Sequence, residues 1–306
     1  MVSAVPLSWW VLFNGLVLIL LALDLGVFHR QNHAVGIKES LGWSAVWISL
    51  ALAFNGFVVH AMGPEAGMQF FTGYLIEKSL SVDNLFVFLI LFRHFRVPAA
   101  YQHRILFWGI LGALVMRAVM IFAGVALLQQ FEWITYVFGA VLVWTAWKLI
   151  GQEAIFEPEK SAAFQWLSRH LRVSGNFGEG KFFVRQQGRW LATQMLLVLV
   201  LVEFTDLVFA VDSIPAVLGI TTHPFLVYTS NVMAVLGLRS LYFALAAGMV
   251  RLRYLNVGLA MILSFVGAKM LLAQLVHVPT FTSLAVVAFI LTVTVVASLK
   301  ASPDSR

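Results

Sequence analysis

Apolar runs of about twenty residues follow one another along almost the whole 306-residue chain. A helix rises 1.5 Å per residue, so each run is long enough to cross a hydrocarbon core roughly 30 Å thick. The runs fall at about 7–28, 41–62, 69–92, 105–128, 132–150, 191–219, 224–250, 254–276 and 279–299. A single segment crossing lipid satisfies its own backbone groups only as a helix. The expected fold is therefore all-α, a polytopic membrane bundle of about nine transmembrane helices. Composition agrees: 61% of residues are apolar and 11% charged, against roughly 25% charged in ordinary globular proteins. There is no cysteine, which excludes a disulfide scaffold, iron–sulfur clusters, thiolate zinc sites and cysteine nucleophiles. The first run has no basic residue before Arg30 and holds Asp24, so it reads as a retained span and not a cleaved signal peptide.

The net charge of +6 is a topology signal. Arg30 and Lys38, Arg93, Arg96 and Arg104, seven residues from Lys148 to Arg189, Arg251 and Arg253, and Lys300 and Arg306 all fall on alternate loops. The loops around Pro64, Gln130, His223 and His277 carry no Lys or Arg. By the positive-inside rule the N-terminus lies outside and the C-terminus in the cytoplasm. The expected partner is membrane lipid, not nucleic acid. In the longest loop, Phe164, Leu167 and Leu171 beside Arg169 and Arg172 suit a short amphipathic helix on an anionic leaflet. Lys181 to Thr193 reads as two short strands around a Gln-Gly turn. A connecting loop packed on the bundle is the main reading of this region, with regulation or partner docking as the alternative.

Ten charges remain inside spans: Lys78, Arg117, Arg239 and Lys269, with Asp24, Glu77, Asp83, Glu203, Asp206 and Asp212. Each would cost roughly 2.5–3.5 kcal/mol near mid-membrane if unpaired, so together they would exceed the roughly 5–15 kcal/mol net stability of a typical domain. They must face one another, water or a bound ion. The acids outnumber the bases by two, a surplus that a divalent cation or two protons would neutralise. Asp24, near a span end, is the weakest candidate.

These charges repeat. Glu77-Lys-Ser-Leu-Ser-Val-Asp83-Asn84 matches Asp206-Leu-Val-Phe-Ala-Val-Asp212-Ser213; Arg117 parallels Arg239, and Lys148 parallels Lys269. Each unit holds three spans, an odd number, so the second is inverted, a 3+3 inverted-topology repeat of the kind transporters use to build a midplane site. The chain then divides into two N-terminal helices (1–68), a first triplet (69–150), the cytoplasmic loop (151–190), the inverted triplet (191–276) and a last helix with its tail (277–306). Glu203 and Asp206 share a helix face, whereas Asp212 lies 120° from Asp206 on a straight helix. Pro215 suggests an interruption near Asp212-Ser213-Ile214 that would bring Asp212 to the same site and free carbonyl ligands.

Carboxylate, amide and hydroxyl oxygens are hard ligands that suit Mn2+, Mg2+ or Ca2+. Glu77, Asp83, Asn84, Glu203, Asp206, Asp212 and Ser213 are the candidate ligands, and Lys78, Arg117, Arg239 and Lys269 the charge partners. Buried ion pairs that only lock the bundle are the competing account. No Gly-x-x-x-x-Gly-Lys-Ser/Thr motif is present, and no Ser/His or His-Glu-x-x-His set lies within a span, so neither ATP hydrolysis nor intramembrane proteolysis is expected.

Thr72-Gly-Tyr-Leu-Ile-Glu77-Lys-Ser-Leu-Ser-Val-Asp83-Asn84 and Val202-Glu203-Phe-Thr-Asp206-Leu-Val-Phe-Ala-Val-Asp212-Ser213-Ile-Pro215 resemble the paired signatures of the TerC/Alx family of membrane proteins, and most closely its bacterial Alx type. Ser230-Asn231, Gly237-Leu-Arg239 and Phe182 to Thr193 extend the likeness over nearly the whole chain. The resemblance implies export of manganese across the bacterial inner membrane, with the intramembrane acids as ligands and no organic cofactor. Protons are the expected counter-ion, since vacated acids in low dielectric take up protons. It also carries labels of tellurium resistance and alkaline induction, and links to metal loading and membrane assembly. A membrane scaffold, assembly or metal-loading factor therefore stands as the alternative.

Overall fold

The computed structural model describes residues 5–26, 37–131, 133–151, 164–165, 173–174, 177–186, 189–246, 254–276 and 278–301. The helices are α1 (Leu7–Gly26), α2 (Ile37–Met62), α3 (Pro64–His94), α4 (Ala99–Gln130), α5 (Ile134–Gly151), α6 (Gln194–Leu218), α7 (Pro224–Leu236), α8 (Leu238–Ala246), α9 (Leu255–Leu271) and α10 (Thr280–Lys300). Each apolar run of the sequence coincides with a helical segment, α7 and α8 together making one segment interrupted by a turn at Gly237. Five segments are long and apolar enough to cross a membrane by length and composition: Lys38–Met62, Ala99–Gln130, Gln194–Leu218, Pro224–Ala246 and Thr280–Ser298. Three others are apolar but shorter. α3 spans 31 residues and carries Glu77, Lys78 and Asp83 in its middle.

Local chemistry sets the boundaries. Between α2 and α3, Gly63 takes φ +92°, open to glycine, and Pro64 begins the next helix, where its missing N–H costs nothing. At the far end of α3, Arg96 turns left-handed at φ +50° and the Val97 N–H closes back on the Phe92 carbonyl at 2.8 Å. That capping pattern ends the helix just before Pro98.

The helices are amphipathic in the reverse sense to those of a soluble protein. On α4, Val115 and Val119 are 63% and 65% exposed while Arg117 is 1% exposed. Apolar side chains face outward, as a lipid-solvated surface requires, and the charge turns inward. One apolar cluster joins α1, α2, α7 and α8 to α3, α4 and α6. A second joins α5, α9 and α10 to the same three helices. α3, α4 and α6 therefore form the middle of the bundle.

α4 and α6 run parallel, Gly109 meeting Val202 and Gly124 meeting Leu218. α3 and α7 also run parallel, with Gly73 against Ser230 and Lys78 against Ala234. α5 and α9 pack antiparallel with the most extensive interface in the bundle. A Cβ on Gly139 would lie 3.0 Å from the Gly267 carbonyl oxygen, and one on Gly267 2.8 Å from that of Gly139. Small residues let these two backbones approach.

The stretch before α6 forms a hairpin, β1 (Phe183–Gln186) paired antiparallel with β2 (Arg189–Ala192), Phe183 opposite Ala192. Apart from residues 164–165, the amphipathic helix expected over 164–171 lies outside the described residues.

The interruption expected near Asp212-Ser213-Ile214 does not form: α6 runs unbroken from Gln194 to Leu218, through Asp212 and Pro215. Pro215 sits in the last turn, where it removes only the bond to the Val211 carbonyl, and the Gly219 N–H returns to the Pro215 carbonyl at 2.9 Å. Losing one bond disturbs the chain less than exposing a broken helix to lipid, where freed backbone groups have no water. The interruption lies instead at Gly237.

Candidate functional site

Asp206 is the middle residue of α6, and Glu77 and Arg117 lie near the middles of α3 and α4. All three are buried, Glu77 completely. Arg117 Nε and Nη2 donate to Asp206 Oδ2 and Oδ1 at 3.0 and 2.8 Å, a two-pronged pairing suited to the planar guanidinium. Nη1 donates to Glu77 Oε1. Glu77 and Asp206, the first acids of the two matching sequence motifs, thus share one cation.

Amides and a hydroxyl complete the cluster. Asn231 Nδ2 on α7 donates to Glu77 Oε2 at 2.9 Å, Ser81 Oγ lies 3.4 Å from Glu77 Oε1, and Asn84 Nδ2 lies 3.5 Å from Asp206 Oδ1. Four helices therefore meet at one polar knot. Asn84 Oδ1 and Ser213 Oγ are buried with no hydrogen-bond partner among the described residues. They are neutral oxygens, on the α3 and α6 faces that carry this knot.

Glu203, a turn before Asp206, is half-buried against α4. A Cβ at residue 112 would overlap its carboxylate, so Gly112 makes the room it occupies. Asp212 is elsewhere. It accepts from Thr145 Oγ1 at 2.8 Å, with Lys148 one turn further along α5. Because α6 is not broken, the 120° offset between Asp206 and Asp212 stands, and Asp212 joins α6 to α5 instead of entering the central cluster. Asp83 lies in α3, but its side chain and that of Asp24 lie outside the described residues.

The expected charge partners also separate. Arg117 holds the Glu77 and Asp206 carboxylates. Lys78 Nζ donates to the Ala234 carbonyl at 3.1 Å, placing a cation on the end of α7. A Cβ on Gly237 would lie 2.9 Å from that amine, so the turn is glycine where lysine comes close. Lys269 Nζ donates to Ser283 Oγ at 3.1 Å near the end of α9. Arg239 is buried in α8, 5% exposed.

Sequence reasoning did not single out Gly112, Thr145 or Ser81, and took Asn231 only as part of a family stretch. Asn231 had a usable signal, an amide within an apolar run. Gly112 had none, because glycine is common in membrane helices. Among the described residues no three His, Asp or Glu side chains gather in a metal-holding group; the convergent pair is Glu77 and Asp206.

A lipid-facing apolar exterior around a buried, charged midsection defines a polytopic α-helical membrane protein. The chain belongs to the integral membrane protein TerC family, whose profile matches residues 62–306. It is 53% identical over 291 residues to "Uncharacterized membrane protein STKORF319" of Myxococcus xanthus, covering 95% of this chain and 91% of the relative. It is 46% identical over 301 residues to "Putative membrane-bound redox modulator Alx" of Salmonella typhi, covering 95% and 93%. The Escherichia coli K12 protein of the same name is 46% identical over 304 residues, covering 94% and 93%. No solved structure matches the chain.

Proposed function

We propose that this protein is a secondary transporter that carries a divalent cation, Mn2+ by the family likeness, out of the bacterial cytoplasm across the inner membrane. Its N-terminus would be outside and its C-terminus inside, as the loop charges indicate. The observation that carries the reading is the convergence of Glu77 and Asp206, buried on different helices, on the Arg117 guanidinium. Among the described residues, two carboxylates share one guanidinium at this point, so the acids outnumber the base and favour a further cation.

In this reading Arg117 stands in for the cargo. Glu77 and Asp206 bind the guanidinium when the cation is absent and the cation when it arrives. Asn84 Oδ1 and Ser213 Oγ are hard neutral donors of the type such an ion takes. Glu203 is the next carboxylate along the same face, and Asp83 and Asp212 are accessory acids, with Asp212 held at α5. Glu77 belongs to the parallel pair α3 and α7, Arg117 and Asp206 to the pair α4 and α6. Rocking of one pair against the other would open the knot, and two such halves from an inverted repeat would give alternating access. Protons taken up by the vacated acids are the proposed counter-ion. The protein would act as a carrier and not an enzyme. Having no cysteine, it would influence redox balance, the property in its relatives' name, through the metal it moves and not through thiol chemistry.

The Arg117 fork also favours a second reading, a membrane scaffold or metal-loading factor in which the ion pairs are structural. Cells loaded with Mn2+ separate the two. Transport predicts that cells carrying Asp206→Asn, compared at equal amounts of folded protein, retain more Mn2+ than wild type. Reduced abundance with unchanged retention per molecule would support the scaffold and reject transport.

A further inference from the structure

A cavity of about 760 Å3 opens at the end of the bundle where α3, α7 and α10 begin and α6 and α9 finish. Its polar lining includes Glu65, Gln69, Thr221, His223 and Lys269. Glu65 and Gln69 start a row of i, i+4 positions on α3 that continues through Gly73 to Glu77. Exposure falls along this row, from exposed Glu65 through half-buried Gln69 to buried Gly73 and Glu77. At 1.5 Å per residue, about 12 Å of helix separates Gln69 from Glu77.

Two other helices follow the same course. Just before α7, His223 at the cavity leads along that helix to Ser230 and to Asn231, which holds Glu77. On α6, Leu218 lines the cavity and its neighbour Val217 heads a row back through Ser213 to Asp206. The three rows meet at Gly73. A Cβ there would lie 2.9 Å from Ser230 Oγ and 3.1 Å from Val217 Cγ1, so no side chain larger than hydrogen fits without movement.

We propose that this seam is the route by which a hydrated divalent cation passes between the carboxylate knot and the cavity, with the contact of Gly73, Ser230 and Val217 as its constriction. The inference rests on the transport reading and adds the path and its narrowest point. The glycine keeps the constriction narrow without plugging it, and the hydroxyl of Ser230 offers an oxygen to an ion part-way through.

Because the chain has no cysteine, single-cysteine variants each report one position. Gln69→Cys, Ser230→Cys and the lipid-facing reference Val119→Cys, purified and placed in proteoliposomes, are treated with 2-(trimethylammonium)ethyl methanethiosulfonate while Mn2+ flux is measured. The reagent needs a water-exposed thiolate, so Gln69→Cys and, during turnover, Ser230→Cys should react about tenfold or more faster than Val119→Cys. Modification of Ser230→Cys should abolish flux. Gly73→Ala should also slow flux, and Ser230→Gly added to it should restore the rate by removing the clashing hydroxyl. Intact flux with Ser230→Cys no more reactive than Val119→Cys would overturn the route while leaving transport standing. Absence of Mn2+ flux in the unmodified protein would remove the transport reading, and the route with it.

Discussion

Replacing Arg117 with Gln tests whether the guanidinium holds a cation's place. Arg117 is 1% exposed and bonds to both Glu77 and Asp206. Removing one partner of a buried ion pair costs about 3–5 kcal/mol, because the remaining charge is left uncompensated. At roughly 2–4 °C per kcal/mol, the value for domains of 150–250 residues, the purified variant should melt about 6–20 °C below wild type. If the carboxylates accept a divalent ion in place of the guanidinium, Mn2+ should restore part of the loss. At 100 times its dissociation constant a ligand adds about 2.7 kcal/mol, so a rise of roughly 5–10 °C is expected from the same conversion. Wild type, with Arg117 competing, should respond less at equal Mn2+. The assay is intrinsic tryptophan fluorescence during heating, in detergent, with Mg2+ as the comparison ion. An Arg117→Gln protein that melts low and ignores Mn2+ would refute the exchange.

Gly112→Ala pushes a methyl against the Glu203 carboxylate, the far end of a flexible side chain that can change rotamer at a cost of about 0.5–1.5 kcal/mol, read as a small fall in melting temperature that Glu203→Ala in the same chain relieves. Thr145→Val removes the 2.8 Å donation to Asp212 and should cost about 1 kcal/mol while leaving Mn2+ flux close to wild type; a collapse of flux would move Asp212 into the transport site. His223, in the connection between α6 and α7, has both ring nitrogens buried without partners among the described residues, and burial lowers its pKa below 6.5. The unfolded chain therefore binds more protons as pH falls through 6.5, so stability present above that pH should decline below it. His223→Gln should flatten that part of a melting-temperature series from pH 7.5 to 5.5, and an unchanged slope would refute the assignment.

The order and approximate ends of the helices were legible because lipid forces each apolar run into a self-satisfied helix. The pairing of Arg117 with intramembrane acids followed from the same physics, since a buried charge must find an opposite one. What the pattern of charges did not convey was rotation. Asp212 looked like a ligand because its motif repeats that of Asp83, and Pro215 looked like a means of turning it inward. In its last-turn position Pro215 gives up one hydrogen bond and leaves α6 straight, and Asp212 stays on the α5 side. The interruption at Gly237 and the room at Gly112 depend on which side chain approaches the missing Cβ, Lys78 in one case and Glu203 in the other. Such contacts are long-range and leave no local periodicity to read.

Exchange of a divalent cation for Arg117 on Glu77 and Asp206, as proposed, is read most directly from Mn2+ flux into proteoliposomes containing equal amounts of folded wild-type and Asp206→Asn protein. Flux should be clear for wild type and near background for the variant. Equal flux from both, or none from wild type, would contradict that exchange.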